Sequence, residues 1–210
     1  MTDAHDGAHA AVETADGPPD YFEVLVASLR ELLVAKGLIG ADEVRAMVET
    51  LDAHGPTIGA GLVARAWVDP DFKARLLDDA TAVVEQSGID NYDDTRFIVL
   101  EQTPQVHNLV VCTLCSCYPR AVLGYPPFWY KSAAFRARAI RDPRGLLADE
   151  WKTVVPETVK LRVVDSTADY RWMVLPMRPT GTDGWDEARL AGIVREGDMI
   201  GVTLPVAAAA

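Results

Sequence analysis

The sequence predicts an α+β protein, in which an N-terminal helical arm is followed by an α/β layered C-terminal domain. Two observations carry this prediction. Apolar residues recur at helical spacing over most of the first ninety residues. Beyond residue 90, short β-branched runs alternate with helical segments, as in a sheet covered by helices. The expected divisions are an acidic tail over 1–20, the helical arm over 21–90 and the α/β domain over 91–210.

The expected tail carries five acidic residues and no Lys or Arg, with few apolar side chains to offset the entropy of ordering. We therefore expect it to be disordered. Apolar spacing, with glycines and Pro70 at suitable ends, then predicts helices over 25–36, 44–54, 58–68 and 70–88.

In the C-terminal part, the sequence predicts strands that alternate with helices. Strands are expected at 96–101, 108–112, 159–165, 171–175 and 199–204. Helices are expected at 127–141, 143–150 and 186–195, with a loop over 179–185. Strands and helices in this order predict a layered α/β domain.

Composition and charge exclude several classes of protein. The sequence has no apolar run of the roughly 18 residues needed to span a bilayer, and its N-terminus does not resemble a signal peptide, so we expect a cytoplasmic protein without a membrane partner. A net charge of −11 argues against nucleic acid as a partner. Six basic residues lie between Arg120 and Arg144 against one acid, Asp142. This run is either a salt-bridged helix face or a docking surface for an acidic partner.

All three cysteines lie in one short segment, Cys112-Thr113-Leu114-Cys115-Ser116-Cys117, which we call the claw. Thiolates select transition metals. Chelation by Cys115 and Cys117 would bring the backbone amides of Ser116 and Cys117 next to the same metal. Three sulfurs and two amide nitrogens would leave one position open, as a catalytic metal requires.

Three other chemistries are open to such a cluster. A structural zinc site needs a fourth ligand, but the chain has no fourth cysteine and its four histidines lack the usual spacing. An iron-sulfur cluster normally needs four cysteines, so it would have to be shared between subunits. A redox pair formed by Cys112 and Cys115 would have a third thiol close by.

The claw and its flanks resemble the alpha subunits of nitrile hydratases. The similarity covers roughly 96–204, and its motifs are Val111 to Cys117, Leu123-Gly124, Pro126-Pro127, Trp129-Tyr130-Lys131-Ser132, Arg136-Ala137-Arg138, Pro143-Arg144, Val174-Leu175-Pro176, Arg178-Pro179 and Gly181-Thr182-Asp183-Gly184-Trp185. What the resemblance implies is the hydration of a small nitrile to the amide.

The resemblance also implies a ligand set. Cys112, Cys115 and Cys117 would supply sulfur, and Ser116 and Cys117 amide nitrogen, to a low-spin trivalent metal. Cys115 would be oxidised to sulfinic acid and Cys117 to sulfenic acid. Thr113 resembles the cobalt branch, so cobalt(III) is expected rather than iron. Cys117, Cys115 and Ser116 would form the catalytic centre, with oxidised Cys117 as nucleophile or base.

The same resemblance implies partners. In the family, arginines of a beta subunit pair with the oxidised sulfurs, so we expect one or two beta-type subunits beside this chain. An activator or chaperone protein for metal insertion is expected as well. A different class of function is also open, because the same claw would serve a non-catalytic protein that carries or transfers metal.

One position departs from most nitrile hydratases, which have Trp where this chain has Arg120. Tyr118-Pro119-Arg120 is more similar to thiocyanate hydrolase, a cobalt relative, and this makes thiocyanate hydrolysis the alternative activity. A guanidinium in the substrate pocket would suit an anion or a hydrogen-bonding substrate. The other placement of Arg120 is at the surface or in a subunit interface.

Overall fold

The computed structural model describes residues 20–91, 95–115 and 117–207. They form a mixed helix and sheet protein, as the sequence predicts. The chain divides into two compact units, residues 1–48 and 49–210. The expected disordered tail lies outside the described residues except for Asp20, and the division at residue 90 stays a prediction. No helix in the described ranges is long and apolar enough to cross a membrane.

The first unit is helical. It contains α1 (Tyr21–Ala35) and most of α2 (Ala41–Ala53). Asp20 and Glu23 form a reciprocal capping box at the start of α1, because each carboxylate accepts the other residue's backbone N–H. Neither helix has a buried residue, and large apolar side chains such as Tyr21 and Phe22 are exposed. An apolar surface of this extent is typical of protein–protein contacts.

The second unit begins with three further helices, α3 (Pro56–Val68), α4 (Pro70–Asp78) and α5 (Ala80–Gln86). The prediction of one helix over 70–88 was wrong. The helix breaks at Asp79, whose carboxylate accepts the Ala82 N–H at 3.0 Å and so caps a new helix. The helical nature of 21–90 is otherwise confirmed, and α4 and α5 pack against the first strand.

Four strands form two parallel pairs rather than one continuous sheet: β1 (Arg96–Glu101), β2 (Val106–Val111), β3 (Lys160–Asp165) and β4 (Tyr170–Leu175). β1 pairs with β4, and β2 pairs with β3. In the second pair Val111 stands in register with Asp165. Because the strands are parallel, the residues that follow β2 and β3 leave at the same edge.

Four helices lie between β2 and β3 along the chain: α6 (Arg120–Leu123), α7 (Phe128–Lys131), α8 (Ala133–Arg141) and α9 (Pro143–Trp151). The helix predicted over 127–141 is interrupted at Ser132. Its backbone is extended there, and its hydroxyl accepts the Phe135 N–H at 3.1 Å as the cap of α8. α6 was not predicted. α8 packs on β2, and α9 packs on β3.

The chain ends with two short helices, α10 (Glu187–Ala191) and α11 (Glu196–Ile200). The helix expected over 186–195 is therefore too long, and the strand expected over 199–204 is wrong. Asp198 explains the second error, because its carboxylate accepts the Arg195 N–H and the Thr203 hydroxyl and so holds this segment as a turn. Gly201 ends α11 with a φ of 88°, beside the Asn108 carbonyl.

His107 links the strand core to that last turn. It is buried in β2, and its Nε2 lies 2.8 Å from the Gly201 carbonyl oxygen, to which it donates. Burial lowers the pKa of His107 more than its bond to Gly201 raises it, and the nearby Arg144 lowers it further. His107 is therefore held neutral in the folded protein.

We predict that His107 makes the protein less stable in acid. Below about pH 6.5 the unfolded chain binds a proton that the folded chain excludes, so the free energy of unfolding falls as the pH falls toward the lowered folded pKa. His107→Gln keeps a donor but cannot titrate, so its stability should depend less on pH. Urea unfolding of both proteins at pH 7.5 and 5 measures the difference, and equal losses in both would contradict it.

Candidate metal centre

The claw begins where β2 ends, at the edge that β2 shares with β3. Cys112 directly follows Val111 and is buried, whereas Cys115 is exposed and Cys117 is half-buried. Tyr118 is buried again. The chain thus leaves the core at Cys112, exposes the middle of the claw and returns to the core one residue after Cys117.

The three sulfurs lie together as a metal would require. Cys115 Sγ is 3.3 Å from Cys112 Sγ and 3.1 Å from Cys117 Sγ, and all three lie within 4.8 Å of one another. With metal–sulfur bonds of about 2.3 Å, ligands at right angles stand about 3.3 Å apart and tetrahedral ligands about 3.8 Å apart. The two short separations fit neighbouring positions of an octahedral metal better than a tetrahedral zinc site.

Thr113 is held by two side chains from outside the claw. The Asp165 carboxylate, at the end of β3, accepts the Thr113 N–H at 2.9 Å and also the Thr113 hydroxyl. Arg136, on α8, donates to the Thr113 carbonyl at 3.3 Å. Every polar group of Thr113 therefore has a partner within the chain.

The other end of the claw rests on a buried aromatic cluster. Tyr130 is fully buried, and its hydroxyl donates to the Cys117 carbonyl at 2.9 Å. Tyr118 meets Tyr130 edge to face, with ring centroids 5.0 Å apart, and donates to the Glu196 carboxylate. Burial raises the pKa of both tyrosines, so their phenols stay protonated as donors.

The surroundings of Cys117 favour its neutral thiol. Burial raises the pKa of Cys117 to about 12, its hydrogen bond with Cys115 and the proximity of Cys112 add to the rise, and the cation of Arg171 opposes it. Since a thiolate is the form that binds metal, Cys117 must release a proton on metal binding.

The structure brings the three predicted thiols together, but not every predicted site residue. Ser116 lies outside the described residues, so its amide role stays a prediction. Arg120 begins α6 and is half-buried, and nothing tests its place in a substrate pocket. Sequence reasoning missed the contacts of Asp165, Tyr130 and Arg136 with the claw, and the proximity of Arg171 to Cys117.

The basic run from Arg120 to Arg144 is partly neutralised within the chain. Arg138 pairs with three carboxylates, those of Asp142, Asp149 and Glu150. Arg144 donates to backbone carbonyls of the segment between α9 and β3. These two arginines therefore serve the chain's own fold, and a docking surface formed by the rest of the run stays a prediction.

Comparison with known proteins agrees with the site. The sequence model of the family "Nitrile hydratase, alpha chain" matches residues 20–203. The low-molecular weight cobalt-containing nitrile hydratase subunit alpha of Rhodococcus rhodochrous is 50% identical over 181 residues, which are 86% of this chain and 87% of that protein. The thiocyanate hydrolase subunit gamma of Thiobacillus thioparus is 40% identical over 197 residues, covering 88% of this chain and 80% of that one.

A solved structure extends the comparison to the fold. A double mutant of the Fe-type nitrile hydratase from Comamonas testosteroni Ni1 superposes with a TM-score of 0.83 at 40% identity, covering 90% of this chain and 94% of that one. Fold and thiol cluster together define a mixed helix and sheet protein with a candidate metal site. The chain belongs to the nitrile hydratase alpha-chain family.

We predict that all three thiols are needed to hold the metal. The wild-type complex should contain about one cobalt per chain, and Cys112→Ala, Cys115→Ala or Cys117→Ala should each reduce this to near zero, because a chelate that loses one donor loses its geometry. Elemental analysis of purified complexes from cobalt-supplied cells measures the content. Leu114→Ala, in the same segment, is the control and should keep its cobalt. Full cobalt content in any cysteine variant would contradict the ligand set.

Proposed function

We propose that the chain is the metal-binding catalytic subunit of a nitrile hydratase, which hydrates a nitrile to the amide at a low-spin cobalt(III) centre. The observation that carries the proposal is the separation of the claw sulfurs, 3.3 and 3.1 Å, at the edge of the paired strands. The cobalt named for the Rhodococcus rhodochrous relative supports the choice of metal over iron. A cytoplasmic location stays a prediction.

The claw would hold the cobalt through the sulfurs of Cys112, Cys115 and Cys117 and the amide nitrogens of Ser116 and Cys117. When bound, the metal supplies a Lewis acid that withdraws charge from the nitrile carbon. The oxygen of oxidised Cys117 serves as nucleophile or as the base that takes a proton from water. Oxidised Cys115 adjusts the electron density of the centre.

The exposure of the three thiols supports these different roles for the three cysteines. Cysteine oxidation follows accessibility and thiolate character, and metal binding converts the neutral Cys117 thiol into a thiolate. Cys115 is exposed and Cys117 half-buried, so both can be reached by an oxidant, whereas Cys112 is buried beneath them. The pattern fits oxidation of Cys115 to sulfinic and Cys117 to sulfenic acid, with Cys112 as an unmodified thiolate.

The proposal includes one or two beta-type subunits as partners. Oxidised sulfurs carry negative charge, which is stable away from water only beside cations. Large apolar side chains near the claw in sequence are also exposed, with Leu114 at 92% and Phe128 at 89%. A partner subunit that covers these side chains and supplies arginines would complete the centre. An activator protein that inserts the metal is part of the same proposal.

We predict that the complex of this chain with its beta-type partner hydrates small aliphatic or aromatic nitriles. Its activity should follow cobalt content, and the peptide that spans Cys112 to Cys117 should carry added oxygen on Cys115 and Cys117 but not on Cys112. Steady-state assays and peptide mass spectrometry on one preparation test this. A cobalt-loaded complex that turns over neither nitriles nor thiocyanate would favour the metal-carrier function, and unmodified thiols in an active preparation would overturn the role of Cys117.

Thiocyanate hydrolysis is the second candidate, and Arg120 together with the similarity to thiocyanate hydrolase favours it. If the Arg120 guanidinium lines the approach to the metal, a charge-assisted contact with an anion contributes about 1.5 to 3 kcal/mol. We expect Arg120→Trp to shift the ratio of thiocyanate to nitrile activity roughly ten- to a hundredfold toward nitriles. Arg96→Trp, at an exposed arginine in β1, is the control. An unchanged ratio in Arg120→Trp would place Arg120 outside the pocket.

A further inference from the structure

We propose that Asp165 and Tyr130 are positioning residues that hold the two ends of the claw, so that metal affinity depends on two side chains that are not themselves ligands. The inference rests on the proposed function, because it concerns the same metal site. The proposal is based on hydrogen bonds that these two side chains make with Thr113 and with Cys117.

At the first end, Asp165 holds the N–H and hydroxyl of Thr113, whose carbonyl accepts a hydrogen bond from Arg136. Its two carboxylate oxygens accept different groups of that residue, the backbone N–H and the hydroxyl, so the contact sets the orientation of Thr113 as well as its position. Asp165 is itself fixed, because it is the last residue of β3 and stands in register with Val111. The rigid strand pair thereby determines where the chain goes after Cys112.

At the second end, Tyr130 acts on the main chain of Cys117. Its ring is fully buried and packs edge to face against Trp129, at 5.9 Å between centroids, and Tyr118, at 5.0 Å. The position of its hydroxyl is therefore set by the core. The bond of 2.9 Å to the Cys117 carbonyl fixes the place where the claw returns to the core.

The middle of the claw has little packing of its own. Leu114 is almost fully exposed and Cys115 is exposed, so few apolar contacts hold them. Within the claw, the Cys115 N–H donates to Cys112 Sγ at 3.3 Å, and the contacts from the rest of the chain hold its ends. Such a loop loses conformational entropy when three sulfurs converge on a metal, and each fixed end reduces that loss before the metal arrives. Removing one end contact should therefore weaken metal binding without removing a ligand.

The test of Tyr130 uses a matched pair of variants. Tyr130→Phe removes the hydroxyl that holds Cys117, whereas Tyr118→Phe removes an equally buried hydroxyl from the same cluster that bonds to Glu196 instead. Co²⁺ is titrated into the reduced, metal-free full chain in complex with its partner subunit, and the thiolate-to-cobalt charge-transfer absorption reports binding. We expect the Kd to rise roughly three- to tenfold in Tyr130→Phe and less than about twofold in Tyr118→Phe.

The test of Asp165 uses rescue by a conservative change. Asp165→Ala removes both bonds to Thr113, and the Kd for Co²⁺ should rise roughly three- to tenfold, limited by the exposure of this contact. Asp165→Asn keeps an acceptor for the Thr113 N–H and should stay within about twofold of wild type. Asp169→Ala, four residues further on, controls for the loss of one acidic charge. Because Asp165 lies at the surface, its variants should fold, and they test the positioning role even if Tyr130→Phe does not fold.

The outcomes separate this proposal from the proposed function. Urea unfolding of the metal-free variants shows whether an effect is merely structural, since a structural role would raise the Kd in step with the loss of stability in both Tyr118→Phe and Tyr130→Phe. Equal Kd values within both sets of variants, in a complex that hydrates nitriles, would overturn the positioning role alone. The expected pattern of Kd values in a complex without hydratase activity would overturn the proposed function alone.

Discussion

The parallel pairing of β2 with β3 is the constraint on which the rest of the site depends. It places the last residue of each strand, Val111 and Asp165, side by side. Cys112 and Asp165 therefore reach the same edge although more than fifty residues separate them along the chain. β2 is almost wholly buried, with α8 and α11 packed against it, and α9 packs on the more exposed β3, so this edge is a rigid support for a short exposed loop. A claw built on a mobile loop could not hold three sulfurs at separations near those of bound ligands.

The claw could be located from sequence because its chemistry is local, and its support could not because that support is distant. Three cysteines within six residues can be recognised as a candidate metal site without any knowledge of the fold. Asp165 and Tyr130 carry no motif that links them to the claw. The pairing of β2 with β3 would have revealed Asp165, since its register leads directly to Thr113. Two pairs of strands with similar apolar composition gave no means of choosing that pairing.

Two of the errors in secondary structure have the same physical cause, which is side-chain capping. Asp79 and Ser132 each start a new helix inside a segment whose apolar spacing continues across the break. At the C-terminus, the β-branched residues near Val202 suggested a strand, but Asp198 binds Thr203 and Gly201 closes against the Asn108 carbonyl. The spacing of apolar residues predicts which face of a helix is buried. It does not predict the hydrogen bonds that a single polar side chain makes with the backbone. The predicted ends of helices were therefore often wrong, whereas the predicted type of element was mostly right.

In the proposed function, Arg120 is the position after the claw at which substrate preference can vary. From Tyr118 to Gly124 every residue is buried except Arg120, which is half-exposed. Tyr118 and the apolar residues of α6 belong to the core, so a change among them would disturb the packing on which the claw rests. Arg120 can change without that cost, although it stands only three residues after Cys117. Arg120 is thus close to the claw along the chain and outside the core. Substitution there can change substrate preference in the proposed function and leave the claw intact. This chain is 50% identical to a nitrile hydratase subunit and 40% identical to a thiocyanate hydrolase subunit, so one scaffold carries proteins named for both reactions.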